Sequence, residues 1–358
     1  MARATKRMAT QFDLWLEEPQ QYQAMALKEC GVFPEGRLYP FILPAMAYAN
    51  MAISGDLDKD LAAKQMRHLL DMAIPQVGKF IEAPANDLMQ MSTYARHGTF
   101  LSTLNIAIGH YRLISDDPRY NKIHDYLSHL LLAALKAKQG GPIDSYPQYT
   151  WYFDTIMALA SLGIWDHLNH TDFANPLLEA HLAWRKTNAT VADTNLPRAR
   201  PGDSSRGCDL SMQVSLLANM KPMVARELYD NYVKTHWVDF GIAAGFREWP
   251  VNVHAPIGGD IDSGPVLMGI GSTASGIGIA ATKAMSDEQR LNSLTLQLDT
   301  VSQLFHRLLA VEQQQSTQLW LGKDLQINKS CYTGFLYGDA ALFYALTWTP
   351  FPYINTEK

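Results

Sequence analysis

The stretch from Gly245 to Met285 limits what the chain can fold into more than any other. It opens Gly-Phe-Arg-Glu-Trp-Pro, passes through a polar loop and Gly-Gly-Asp-Ile-Asp-Ser-Gly-Pro, and runs on without charge to Lys283. Val266 to Thr282 holds Gly269, Gly271, Gly276 and Gly278 among Ala and Ser, so a helix here has small side chains on every face. Only other helices can enclose such a helix closely. Pro265 suits a first helical turn, where its missing N–H would have no partner, and Ser263 is then the candidate N-cap. About twenty residues would just span a bilayer, but the Gly, Ser and Thr content makes the segment weakly hydrophobic. The reading is a buried central helix fed by a carboxylate-bearing loop, with membrane association not favoured.

The rest of the chain shows helical periodicity, largely in pairs. Met8 to Glu29 reads as one amphipathic helix, Tyr39 to Ser54 as an apolar aromatic one stopped by Gly55, and Asp56 to Ile74 as a third ended by Pro75. Leu88 to Ile114 and a helix from the Asp116-Asp117-Pro118 cap to Lys138 follow, then Trp151 to Leu168 and Phe173 to Lys186. A polar linker, Thr187 to Gly207, leads to Cys208–Ala218, Pro222–Thr235, Ser286–Gln314 and Ala340–Thr347. A short strand is placed near Gln318 to Leu321, but no run of βα units occurs. Gly269-Ile-Gly271 therefore lacks the preceding strand that a dinucleotide loop requires. About twelve helices in successive pairs predict an all-α toroid, an (α/α)6 barrel, in which inner helices bury small-residue faces and amphipathic helices lie outside. The expected organisation is an N-terminal helical extension over 1–37 and a single barrel domain over 38–358. Loops at one end of the inner helices would surround a funnel.

Composition narrows the partners. The net charge is −5 with both signs interspersed, so there is no basic footprint for nucleic acid. Cys30, Cys208 and Cys331 lie far apart, which argues against a disulfide framework or a zinc knuckle. The histidines form no His-x-x-x-His pair, and His254 near Asp260 and Asp262 is a weak oxygen-rich alternative. No metal and no cofactor is expected. The basic stretch Met1 to Thr10 precedes polar residues rather than an apolar run, so it is not read as a secretory signal. The expected location is cytoplasmic, or periplasmic if a leader has been removed.

Four loop clusters carry groups suited to chemistry. The first is Tyr94, Arg96 and His97. The second runs from Asp144 through Tyr146, Tyr149 and Trp151 to Asp154, a carboxylate inside an apolar helix, where it is costly unless paired or functional. Arg206 and Asp209 form the third, and there Asp209 could equally be satisfied by first-turn amides. The fourth is Arg247, Glu248 and Trp249 with Asp260 and Asp262. Like-charged carboxylates sharing a funnel push one pKa up, and an acid kept protonated beside an ionised partner is what general acid/base cleavage of a C–O bond requires. The bland alternative pairs Arg247 with one of these acids and makes an Asp a cap.

Tyr39 to Leu70, with its Gly-Asp-Leu-Asp turn, resembles the early helix pair of the linalool dehydratase-isomerase family. Leu104-Asn105 through Gly109-His110-Tyr111-Arg112 to Arg119-Tyr120 resembles the next pair, and Pro147 through Trp165-Asp166-His167 to Phe173 the third. Arg247-Glu248 and Asp260-Ile261-Asp262-Ser263-Gly264 match the acidic loop before that family's late small-residue helix. The order is kept across residues 38 to 305. The resemblance implies an (α/α)6 barrel, oligomerisation able to complete the pocket, and cofactor-free acid/base chemistry. It also shows departures: Ser145 and Asp154 stand where the family has two cysteines, and its catalytic histidine falls at Thr103, or at His97 with a short insertion. The resemblance thus implies the fold rather than a thiol-dependent dehydration.

Together these readings predict a homo-oligomeric enzyme that cleaves or isomerises at a C–O bond of a small polyhydroxylated or terpenoid-alcohol substrate, as a lyase or glycoside hydrolase. Asp154 and one of Asp260, Asp262 or Glu248 would be the paired carboxylates, with the aromatic loop holding the substrate. The alternative is a non-catalytic ligand-binding or assembly protein on an enzyme-like toroid.

Overall fold

The computed structural model describes residues 2–241, 243–253, 260, 263–298 and 331–351. These are mostly helical, with a few short strands. The predicted N-terminal helix is two: α1 (Ala2–Leu16) and α2 (Pro19–Cys30), with Pro19 opening the second. In α1 every fourth residue, Ala4, Met8, Phe12 and Leu16, is buried, the spacing that puts them on one stripe. Phe12 stacks on Phe343 at 5.1 Å, and Asp13 accepts hydrogen bonds from the Tyr48 hydroxyl at 2.7 Å and the Gln65 amide at 2.8 Å.

α3 (Tyr39–Ser54) is buried along nearly its whole length and ends at Gly55, whose φ of 81° supplies the left-handed stop. α4 (Lys59–Phe80) starts at Asp58, whose side chain caps the amides of Asp60 and Leu61. Contrary to the sequence reading, Pro75 does not end it. Pro75 and Asp71, whose carbonyl loses its helical partner, are both exposed, so water can serve that carbonyl and the helix carries on to Phe80.

α5 (Gly98–Ile114) begins ten residues later than predicted. Asp87 caps a short 3-10 turn at Leu88–Gln90, and Ala95 and Arg96 then take φ values of 55° and 57°, which no right-handed helix continues. α6 (Asn121–Ala137), α7 (Tyr152–Asn169), α8 (Ala174–Asn188), α9 (Gly207–Leu217) and α10 (Pro222–His236) lie close to the predicted spans.

The largest correction falls on the opening stretch. Val266–Leu267 (β5) and Ile270–Gly271 (β6) pair as a tight hairpin, after the similarly short pairs β1 (Thr190–Val191) with β2 (Leu196–Pro197) and β3 (Trp237–Asp239) with β4 (Ala244–Phe246). Met268 and Gly269 turn the hairpin at φ 54° and 84°, the two positive values that a two-residue turn of this kind needs. The helix α11 (Ser272–Ala284) therefore starts six residues late, and Pro265 and Ser263 belong to the loop before it. Ser263 instead exchanges hydrogen bonds with Asp260, at 2.8 and 2.9 Å. The small residues of α11 do serve close packing: a Cβ on Gly278 would sit 2.7 Å from the Phe246 ring.

Residues 288–298 are helical, and residues 299–314 and the strand expected at Gln318–Leu321 lie outside the described residues. The last helix, α12 (Leu336–Thr347), begins earlier than predicted; its Asp339 accepts from the amides of Tyr332 and Thr333 and fixes the loop that enters it.

Six helices form the core. α3 packs on α5, α5 on α7, α7 on α9, α9 on α11, α11 on α12, and α12 returns to α3. α4 and α6 lie against neighbouring members of this cycle, α8 against α7 and α10 against α9. The outer α10 is amphipathic, burying Ala225, Leu228, Tyr229 and Tyr232, whereas every residue of the inner α9 is buried. Among the described residues no helix is long and apolar enough to cross a membrane.

Candidate functional site

The N-terminal ends of the six core helices open on one cavity of about 550 Å³. Tyr39 reaches it from α3, Thr99 from α5, Phe153 and Asp154 from α7, Cys208, Asp209 and Met212 from α9, Thr273 and Ile277 from α11, and Tyr337 from α12. Helix N-termini bring unpaired amides and the positive end of the dipole, a setting that favours oxygen-bearing groups. The 143–154 loop adds Tyr146, Tyr149 and Trp151, and Pro34, Glu35 and Phe80 complete the rim.

On one wall Asp154 is 1% exposed and accepts a hydrogen bond from Thr99 Oγ1 at 2.7 Å. The loop over it is held from within. Ser145 Oγ accepts from the Trp151 amide at 2.7 Å, so this side chain serves the backbone. Tyr146 donates its hydroxyl to Glu35 and meets Phe100 and Trp151 edge-on, about 6 Å between ring centres.

The adjoining wall, at α9, is a charged network. Glu248, 0% exposed, accepts from Arg206 Nε at 2.8 Å, from the Cys208 amide at 3.3 Å and from the Cys208 thiol at 3.0 Å. Arg206 also donates to Asp260 at 2.8 Å and lies over the Trp249 ring at 5.4 Å. Burial pushes the Glu248 carboxyl above its usual range, opposed by the Arg206 guanidinium. Burial likewise pushes the Cys208 thiol well up, and the neighbouring Glu248 adds to this. Cys208 is therefore a neutral thiol donating to a carboxylate. Asp209, 6% exposed, faces the cavity from the next position on α9.

Of the residues singled out from sequence, Asp154, Arg206, Asp209, His97, Tyr146, Tyr149 and Trp151 line the cavity. His97 Nδ1 lies 2.7 Å from the Ala95 carbonyl, so that nitrogen carries the proton, and burial lowers the imidazole's pKa. Glu248 and Asp260 stand one step behind, bonded to Arg206, and Trp249 lies under that guanidinium. Tyr94, Arg96 and Asp144 form a separate cluster outside the lining: Asp144 pairs with Arg96 at 3.2 Å and Lys138 at 3.4 Å, and its carbonyl accepts from Tyr94. Arg247 packs across Gly269, where a Cβ would meet its Nη1 at 2.3 Å. Among the described residues, the acids of this loop, Glu248 and Asp260, pair with Arg206. Asp262 and His254 lie outside the described residues. Thr103 is buried and donates to the Thr99 carbonyl.

Sequence reading passed over Cys208, taking it as one of three scattered cysteines, and Thr99 and Glu35 as well. The available signal was position: Cys208 stands between Arg206 and Asp209 at the start of an apolar helix, and Thr99 one residue into another. Among the described residues no group of three or more His, Cys, Asp or Glu is arranged to hold a metal ion. No family model matches the chain, and no curated protein matches it.

Proposed function

We propose that the cycle α3–α5–α7–α9–α11–α12 is the inner ring of an (α/α)6 barrel, and that its cavity is the active site of a cofactor-independent enzyme acting at a C–O bond. What supports this reading above all is that Asp154 and Asp209, both almost fully buried, open on one cavity from different helices. Burying carboxylates is costly, and a site that exchanges protons with a ligand is a reason to do it. One carboxyl would protonate the departing oxygen, and the other would remove a proton from the adjacent carbon or from water. Cys208 and Glu248 extend the second acid's wall as a proton-holding pair. The rings of Tyr39, Tyr146, Trp151 and Tyr337 would hold an apolar or ring-shaped body and face the cationic carbon that develops as the bond breaks. A terpenoid alcohol suits this lining better than a heavily hydroxylated sugar, whose many hydroxyls need more polar partners. The same arrangement agrees with the resemblance to the linalool dehydratase-isomerase family in layout, while carboxyl and thiol occupy other positions.

The test is a thermal-shift screen of terpenoid alcohols and sugars on the native chain, on Asp154→Asn and on Asp209→Asn, followed by product analysis for each hit. Ligands should shift the native protein, and conversion should fall by about 10²–10⁴ in either variant. Binding and conversion indifferent to both changes would remove the site assignment.

A further inference from the structure

We propose that the substrate carries an oxyanion head, a carboxylate or phosphate, which docks outside the main cavity against Arg37 and Lys79. This rests on the larger cavity being the substrate site. A second cavity of about 370 Å³ abuts the first and shares Pro34 and Phe80 with it, so one molecule can occupy both.

Charge is divided between the two. The larger is lined by the acids Glu35, Asp154 and Asp209 with one cation, Arg206, and suits a neutral body or one that turns cationic. The smaller is lined by two cations, Arg37 and Lys79, and by the amide of Gln76, with no acid. On a chain of net charge −5 such a division is not the average surface.

The donors sit on firm supports. Arg37 closes the turn before α3, and its Nε donates to the Gly31 carbonyl at 3.1 Å, which orients the guanidinium plane. That turn is tight, since a Cβ on Gly36 would lie 1.8 Å from the Cys30 carbonyl oxygen. Gln76 and Lys79 are three apart on α4 and so share a face. A planar guanidinium beside an ammonium is a donor set for a planar or tetrahedral oxyanion. Phe80 forms the sill between the cavities, its ring fixed by stacking on Phe100 at 4.3 Å. An apolar chain can cross it without losing a hydrogen bond.

Calorimetric titration of the full chain with octyl phosphate, octanoate, 1-octanol and inorganic phosphate tests this directly. At low salt at least one octyl anion should bind 10-fold or more tighter than 1-octanol, and tighter than inorganic phosphate. Which anion wins tells phosphate from carboxylate. Arg37→Met with Lys79→Met should bring the anions down to the level of 1-octanol and leave 1-octanol unchanged. Lys79→Met alone, at an exposed position, should remove about half of the preference on a logarithmic scale and serves if the double variant fails to fold. Equal binding of the anions and 1-octanol, a preference left undiminished in Lys79→Met, or inorganic phosphate binding as tightly as octyl phosphate would each overturn the proposal. Asp154→Asn should keep the anion preference, so a failed catalytic reading and a failed anion site give different results.

Discussion

The two walls of the cavity hold their acids by different means. On the α7 wall Asp154 accepts from a neutral hydroxyl, Thr99, beneath a loop of aromatic rings. On the α9 wall Glu248 is clamped by a guanidinium, a thiol and a backbone amide, and Arg206 ties it to Asp260 as well. A carboxylate bonded to a hydroxyl can take a proton while the hydroxyl turns to suit. One that balances a buried guanidinium cannot do so without stranding that charge. On the proposed reading the contrast leaves proton traffic to Asp154 on the α7 wall, and gives Glu248 the task of fixing Arg206 and Cys208.

Acid should blur the contrast first, and with the largest effect. Buried imidazoles lie in the helices around the site: His110 on α5, His124 on α6, His181 on α8 and His236 at the end of α10. Burial lowers the pKa of His110 and His181 to about 4 and of His124 and His236 to about 3, from 6.5. As pH falls below 6.5 the unfolded chain binds protons that the folded chain does not, so stability falls, by about 1.4 kcal/mol per pH unit for each. Asp339, pushed up to about 6 by burial, works the other way between 3.8 and 6, its stabilising share being lost as pH rises. The net expectation is a loss of a few kcal/mol per pH unit from 6.5 towards 4, read as a fall in the urea midpoint. A flat profile would mean that these imidazoles are solvated. Comparison of the walls belongs at pH 7 or above.

At such a pH Arg206→Met should cost about 3–5 kcal/mol, because Glu248 is left buried without its counter-charge. Adding Glu248→Gln should return part of that loss. Asp154→Asn on the other wall should cost under about 1.5 kcal/mol, an amide being able to stay bonded to the Thr99 hydroxyl. Urea unfolding of the three proteins decides it, and equal costs for the two walls would erase the distinction.

Backbone approach gives a third comparison, of intermediate size. Gly207 opens α9 and Gly98 opens α5. A Cβ on Gly207 would lie 2.1 Å from the Arg247 carbonyl oxygen and 2.8 Å from Ala274 Cβ, so the backbone that carries Arg247 and Glu248 must move. On Gly98 the nearest atoms would be the Asp144 carbonyl at 2.8 Å and the movable end of Ile143 at 3.0 Å. Gly207→Ala should therefore lose about 2–3 kcal/mol and Gly98→Ala about 1 kcal/mol, with ligand binding disturbed more by the first. The reverse order would place the rigid wall on the α7 side.

Much of the fold was legible because it rests on one-dimensional signals. Small residues in α11, the apolar run of α7 and the spaced stripe of α10 mark inner and outer helices from composition and period alone. Boundaries failed where a single residue had to be weighed against its surroundings. Pro75 looks like a stop until its ring is known to face solvent, and Leu88 looks like a start until Asp87 is seen capping a 3-10 turn. Val266 to Gly271 is apolar and glycine-rich in a way that serves a hairpin as well as a helix, and only the pairing with Arg247 and Glu248 separates the two. Asp154 could be found because a lone acid in an apolar helix stands out. Cys208 offered only its position between Arg206 and Asp209, since its meaning depends on Glu248, forty residues away. Arg206 rather than Arg247 is the partner of that acid for the same reason: the two meet only through the fold, forty-two residues apart.

The smallest effect, and the sharpest on role, is expected at Thr99. Its hydroxyl is buried and donates to Asp154 at 2.7 Å, and valine matches its shape without a donor. Thr99→Val should cost about 1–2 kcal/mol of stability, the share of one hydrogen bond to an acid, and should weaken alcohol binding at Asp154 more than it weakens the fold. Thr99→Ser keeps the hydroxyl and should restore binding while losing only the packing of one methyl group, about 1 kcal/mol. If valine binds alcohols as the native protein does, Thr99 merely fills space, and the α7 wall is no more adapted to proton traffic than the α9 wall beside it.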